Sequence, residues 1–219
     1  MKYKVLTLFP EYIDSIKDYS IIKRAIEAKK IDIEAINIRD FGIGKHKQVD
    51  DTPFGGGVGM VMRVDVLHTA IKQSTRNSPK NKRVVLLSPE GNQYDQKKAL
   101  EYSSLDELIL ICGHYEGFDE RIKEYVDETV SIGDYILTGG ETGALAIIES
   151  SARLIKGVLG KNESHRIETF SLFGKKKYIE YPHYTKPREF LGHKIPEVLL
   201  SGDHKKIEKW KLDNLKYID

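Results

Sequence analysis

The chain has 219 residues, 31% of them charged, and its 35 Lys and Arg against 33 Asp and Glu leave a net +2. That length supports one domain with its own core plus a smaller appendage, and the charge balance excludes a global polycation. Apolar runs stop far short of the ~20 residues of a membrane span, the N-terminal MKYKVLTLFPEY is too short in apolar residues for a signal peptide, and a single cysteine, Cys112, excludes internal disulfides and cysteine-rich zinc sites. The expectation is a soluble, cytoplasmic protein.

Residues 2–9 alternate and are rich in β-formers, and Pro10 ends the run. Ile13, Ile16, Ile22, Ala25 and Ile26 follow at helical spacing, and residues 31–38 read as a second strand. The polar, glycine-rich stretch 40–59 is longer than an ordinary connection. A helix over 64–73, a loop over 76–81 and a short buried strand over 84–87 come next. Then follow a helix over 94–102, a strand over Glu107–Cys112 and a short helix over Glu120–Tyr125. Residues 131–140, glycine-rich again, lead into a helix over 142–155. Strands alternating with helices imply an α/β domain with a mostly parallel sheet, placed at residues 1–157. Beyond Gly157 the chain is polar, broken by proline and glycine, and without periodicity. That reads as a linker over 158–181 joining a small helical tail at 182–219, where Asp203 can cap a helix carrying Ile207 and Trp210.

Charge is unevenly laid out. Residues 101–150 hold twelve acids and two bases, whereas residues 161–219 sum to +4 and include Lys175, Lys176 and Lys177. Such blocks are commonly solvated faces; the functional alternative is an acidic site in the body and a basic arm for phosphate. Three loops follow strands: Ser88-Pro89-Glu90-Gly91, Gly113-His114-Tyr115-Glu116-Gly117, and Ser131 through Gly139-Gly140. Ligands of α/β sheets bind beyond the carboxyl ends of strands, and glycines there let backbone groups approach a ligand closely. One such loop is a tight turn; three on successive strands suggest one composite pocket. GGGVGM lacks the Lys-Ser/Thr of a phosphate loop, and no dinucleotide fingerprint is present. The loops carry Glu90, Glu116, Asp134 and Glu141 with almost no bases, which suits a cationic or neutral ligand such as a sulfonium methyl donor better than ATP or NAD.

The ordered set Leu8-Phe9-Pro10, Thr52-Pro53-Phe54-Gly55-Gly56-Gly57, LSPEG, CGHYEGFDER, SIGDYILTGGE, GVLG, YPHYTKP and PEVLLSGDH, ending near Trp210, resembles the bacterial tRNA (guanine-N1)-methyltransferases of the TrmD type. The resemblance implies a SPOUT-class fold, an α/β domain with a C-terminal trefoil knot, working as a homodimer whose sites combine loops of one subunit with the linker of the other. It implies S-adenosylmethionine held by Leu86, Leu87, Ser88, Pro89 and Glu90, by Gly113, Tyr115 and Glu116, and by Ser131, Ile132, Gly133, Asp134, Tyr135, Ile136, Leu137, Gly139 and Gly140. The implied substrate is the tRNA guanosine just 3′ of the anticodon when another guanosine precedes it, with Asp50 and Ser164 as substrate contacts. Magnesium dependence is linked to the family, and Glu116 with a linker acid could hold the ion.

Guanine N1 carries a proton at neutral pH, so a base must remove it as the methyl arrives, and charge then spreads onto O6. Matching by motif, the arginine four residues before GVLG, Arg153, is the cation for O6. The family's base is an aspartate before Ser-Phe; this chain has Glu168-Thr169-Phe170 there, so Glu168 is the expected base, with Glu163 behind it. The extra methylene adds roughly 1.5 Å of stem, which a flexible linker could absorb. The linker is longer than usual in relatives, and the tail stops soon after Trp210 without an arginine- and leucine-rich helix, an expected loss of phosphate contacts. Asp51, His46 and Arg39 are further possible RNA contacts, or plain loop residues. Tyr115 and Tyr135 could pack on adenine or fill the core, and Cys112 reads as core. An RNA-binding protein that has lost catalysis on the same scaffold, or a SPOUT enzyme with another RNA target, are the other readings.

Overall fold

A set of parallel strands buried on both faces decides the architecture. A computed structural model describes residues 1–159, 168–170, 172–173 and 176–218. The chain divides into two units, Met1–Gly160 and Lys161–Asp219. The first contains β1 (Lys2–Thr7), α1 (Pro10–Asp14), α2 (Ser20–Glu27), β2 (Asp32–Asn37), the two-residue strands β3 (Asp50–Asp51) and β4 (Val61–Met62), and α3 (Val64–Thr75). It continues with β5 (Lys82–Gln93), α4 (Gln96–Ser103), β6 (Glu107–Cys112), β7 (Glu128–Ser131) and α5 (Glu141–Ala152).

Five strands form one sheet in the order β2-β1-β6-β5-β7, with every neighbouring pair parallel. Tyr3 and Val5, Val85 and Leu87, and Leu108, Leu110 and Cys112 face one side, where Ile22 and Ala25 of α2, Tyr102 of α4 and Ile147 and Ile148 of α5 cover them. Leu6, Val84, Leu86, Ile109 and Ile111 face the other, against Val66, Leu67, Ala70 and Ile71 of α3. Burial on both faces is why the central strands read as near-continuous apolar runs instead of alternating. Glu107 is the polar exception in β6. Its side chain is 5% exposed and pairs at 2.9 Å with Lys4, 12% exposed. Lys4 also donates to the Ser74 carbonyl at 2.6 Å, and the Ser78 hydroxyl bonds the same carboxylate.

Three elements differ from their expected form. The helical stretch from Ile13 to Ile26 is two helices separated by a 3-10 turn over Ser15–Asp18, because Ser20 adopts φ +49°, which a right-handed helix cannot continue through. The short strand at 84–87 runs on to Gln93: β5 pairs with β7 through Leu87↔Val130, then shifts register and pairs again through Asn92↔Val130. Residues 88–91 are the excursion between those two pairings. Strand β7 is not evident in the sequence, since four residues with one Val carry little pattern; its partner β5 specifies it.

The second unit contains β8 (Leu172–Phe173), β9 (Lys176–Ile179), β10 (Glu189–Phe190), β11 (His193–Lys194), α6 (His204–Asp213) and β12 (Lys216–Ile218). Strands β12, β9 and β8 form an antiparallel sheet in that order, with Tyr217 opposite a buried Tyr178. The expected linker therefore contains two strands, and the expected helical tail is mixed α and β. Pairing between residues this far apart in sequence leaves no mark on local composition. Asp203 caps α6 as expected, accepting from the Lys205 and Lys206 backbone N–H groups, and Trp210 packs on Tyr181 and Tyr184. Among the described residues no helix is long and apolar enough to cross a membrane.

Candidate functional site

The three loops anticipated from their glycines leave the carboxyl ends of β5, β6 and β7 and line one cleft of about 470 Å³. Ligand pockets typically run from about 300 to 1,000 Å³. Ser88, Pro89 and Glu90 come from the first loop, Gly113, Tyr115 and Glu116 from the second, and Ser131, Ile132, Gly133, Tyr135, Ile136, Leu137, Gly139 and Gly140 from the third, with Leu87 at the base. Leu86 and Asp134 do not line it. Alternation turns Leu86 onto the opposite face of the sheet from Leu87, and Asp134 lies exposed beside the cleft.

The loops are tied to one another by backbone bonds. Gly140 N–H donates to the Gly113 carbonyl at 3.0 Å, and His114 and Gly139 form an antiparallel bridge. The β3–β4 hairpin joins them: Glu116 N–H donates to the Met60 carbonyl at 3.0 Å and Met62 N–H to the Gly117 carbonyl at 2.9 Å. This explains the long glycine-rich stretch before Val61. Gly59 has φ +93°, and a Cβ there would lie 2.4 Å from the Glu116 Cγ, so only glycine lets the Glu116 stem pass. Phe54, at the far end of the hairpin, is fully exposed.

Phe118, Val130 and Gly143 line the cleft from outside the three anticipated loops, whereas His114, Gly117 and Thr138 lie within them; Phe118 stands inside CGHYEGFDER, so for that residue the motif itself was the available signal. The rest of that motif is structural: Asp119 caps the following 3-10 turn and accepts from Arg121, which holds its carboxyl below the usual range. Charge in the cleft is also simpler than the loops suggest. Lys123 pairs with Glu90 at 3.0 Å, and the lining residues include neither Lys nor Arg. Cys112 is core as expected: burial pushes its thiol well up, with the Glu141 carboxylate adding to the shift.

Tyr135 is neither core nor free. Its ring lies over Gly133 and its hydroxyl donates to the Ile132 carbonyl at 3.3 Å. Asp51 is engaged by its own hairpin, accepting from Thr52 N–H and pairing with Arg63 at 2.9 Å. Asp50 is half-buried on β3 with no side-chain bond among the described residues.

Arg153 ends α5, whose other end begins beside Gly140. Twelve helical residues rise about 18 Å, so Arg153 stands at the far end from the cleft and does not line it. Glu168 lies in the second unit, half-buried, in a turn held against β9: Phe170 N–H donates to the Tyr178 carbonyl at 2.7 Å, and Thr169 Oγ1 accepts from Glu180 N–H at 3.2 Å. The turn is thus hydrogen-bonded to β9 and the residue that follows it. Ser164 and Glu163 lie outside the described residues.

Fold and cleft together define an α/β protein whose strand-end loops build a single ligand site with acidic and backbone-rich walls. A family model described as tRNA (Guanine-1)-methyltransferase TrmD matches residues 1–217. Proteins named tRNA (guanine-N(1)-)-methyltransferase are similar along almost the whole chain. That of Clostridioides difficile is 50% identical over 213 residues, 96% of this chain and 90% of the relative. That of Carboxydothermus hydrogenoformans is 51% identical over 212 residues, covering 96% and 81%. That of Spiroplasma kunkelii is 51% identical over 212 residues, covering 96% and 76%. The chain belongs to the TrmD family of tRNA (guanine-1)-methyltransferases and is an enzyme of that kind, for which S-adenosylmethionine is the implied methyl donor.

Proposed function

We propose that the protein methylates N1 of the tRNA guanosine immediately 3′ of the anticodon, with the methyl donor seated in the cleft at the ends of β5, β6 and β7. The observation that carries this reading is the convergence of the three loops: every expected donor-binding residue except Leu86 and Asp134 lines one cavity. The walls fit the donor. They offer carboxylates, hydroxyls and backbone groups but no Lys or Arg, as suits a cation with an adenine to be read by main-chain bonds.

Bound there, S-adenosylmethionine supplies a methyl group on a sulfonium sulfur. The protein's own work is at the base. Glu168 Oε accepts the N1 proton, and the Arg153 guanidinium faces O6, where negative charge develops as the proton leaves. Asp50 and Ser164 hold the guanosine. The distance of Arg153 along α5 from its own chain's cleft supports a site completed across a homodimer. In that arrangement the linker of one subunit brings Glu168 to the loops of the other. The proposed arrangement is a knotted α/β donor-binding domain at 1–157 joined through residues 158–181 to a tRNA-gripping tail at 182–219, with β9 of the joining stretch paired to β12 of the tail, and the parallel sheet with its tightly cross-tied loops supports the SPOUT trefoil knot. A magnesium ion would have Glu116 as its protein ligand. Among the described residues no three His, Cys, Asp or Glu side chains gather to hold it, so its other ligands would be water or substrate.

The test is methyl transfer from labelled donor to two tRNA transcripts, one with guanosine at the target and one with it replaced, by the wild type and by Glu168→Ala. Transfer only to the first transcript, a loss of about a hundredfold or more in kcat for the variant, and unchanged donor affinity are expected. Transfer to both transcripts would overturn the assigned position, and full turnover by the variant would remove Glu168 as the base.

A further inference from the structure

Glu141 takes no part in the proposed chemistry, yet it is a carboxylate 6% exposed and one residue behind the cleft wall. It opens α5, whose N-terminal dipole favours a negative charge there. Oε1 accepts from the Thr7 hydroxyl at 2.7 Å, and that hydroxyl oxygen in turn accepts from Phe9 N–H at 2.9 Å. Among the described residues no Lys or Arg pairs with Glu141. Oε2 lies against Gly139, 2.4 Å from where a Cβ would be, and the buried His114 Nδ1, which has no hydrogen-bond partner among the described residues, lies 2.8 Å from the same point. The missing side chain at Gly139 thus leaves the room in which the carboxylate and the imidazole converge beneath the third loop.

A charge this deep without a cationic partner costs stability that a glutamine, able to accept the same Thr7 bond, would not. Its field reaches the second loop as well, since it adds to the upward shift of the Cys112 thiol, next to Gly113. The other cleft acids differ from it: Glu116 is exposed to solvent screening, and Glu90 is paired with Lys123.

We propose that Glu141 is a specificity determinant of the methyl-donor site, a fixed buried charge that makes the cleft prefer the cationic sulfonium donor over the neutral thioether left after transfer. This rests on the assignment of the cleft to the donor. The charge acts through space and through the Gly139 backbone, without touching the ligand, and its effect is to favour product release.

The experiment compares dissociation constants of the full-length protein for three ligands: S-adenosylmethionine, S-adenosylhomocysteine, and the amine analogue sinefungin, which is positively charged where the donor carries sulfonium. Glu141→Gln should weaken the two cations about tenfold while moving the thioether less than about twofold. Retained thioether binding shows in the same measurement that the cleft is folded. Glu141→Asp, which keeps the charge, should keep the ratio of donor to thioether affinity near wild type even if both fall. An equal loss for all three ligands in Glu141→Gln would make Glu141 a structural anchor and overturn the inference, as would no loss at all. A wild type that binds none of the three would overturn the assignment of the cleft itself.

Discussion

Replacing Gly59 by alanine tests the coupling between the β3–β4 hairpin and the donor loops. The new Cβ would sit 2.4 Å from Glu116 Cγ and 2.7 Å from its Oε1. An ordinary contact begins near 3.4 Å, so Glu116 or the hairpin must move by about 1 Å, and a displacement of that size at a reacting centre costs on the order of a hundredfold in rate. Positive φ adds backbone strain of about 1–2 kcal/mol. Gly56 separates the two effects: it lies in the same hairpin at φ +82°, with nothing within 4 Å of its Cβ position. Gly56→Ala should show the strain alone, as a small loss of thermal stability with kcat/KM within about threefold of wild type. Gly59→Ala should lose roughly thirtyfold to a hundredfold in kcat/KM for methyl transfer. Equal effects from both variants would refute the argument that Glu116 is held in place by the absence of a side chain at position 59.

The Lys4–Glu107 pair predicts a stability effect well away from the cleft. Glu107→Gln leaves the Lys4 charge buried and should cost about 3 kcal/mol, while replacing both residues with Met and Leu should recover most of it. A chain of this length loses about 2–4 °C per kcal/mol, so thermal melts followed by circular dichroism decide the matter, and a loss under about 1 kcal/mol for the single variant would contradict it. Cys112 should resist alkylation in the native state from pH 7 to 9 and react on unfolding, because its folded thiol ionises only well above the unfolded value. The sign follows. The thiol's contribution to stability is complete below the unfolded pKa of about 8.5 and is lost as pH rises toward the folded value. Rapid native alkylation at pH 8 would show the thiol is not buried as described.

Much of the fold can be read locally because its causes are local. The apolar run at Glu107–Cys112 is a strand in both readings, and Asp203 caps the helix it precedes, since both depend on neighbours in sequence. The donor loops were also legible, as glycine clusters following strands. What was not legible depended on partners far along the chain. β7 exists through β5, β9 through β12, and the hairpin through the Glu116 loop. The turn carrying Glu168 is hydrogen-bonded to β9 and its following residue.

The amino-acid sequence by itself determined the parallel α/β class, the loops that carry the site and the family, because periodicity, glycine placement and ordered motifs are properties of the chain. Only the tertiary structure decided that Leu86 turns away while Leu87 faces the cleft, that Lys123 pairs with Glu90 as well as Glu120, that Arg153 stands at the far end of α5 from its own cleft, and that Glu141 lies buried beneath Gly139. Each of those follows from which groups meet in space once the strands have paired, and a side chain's charge and burial are set by those meetings.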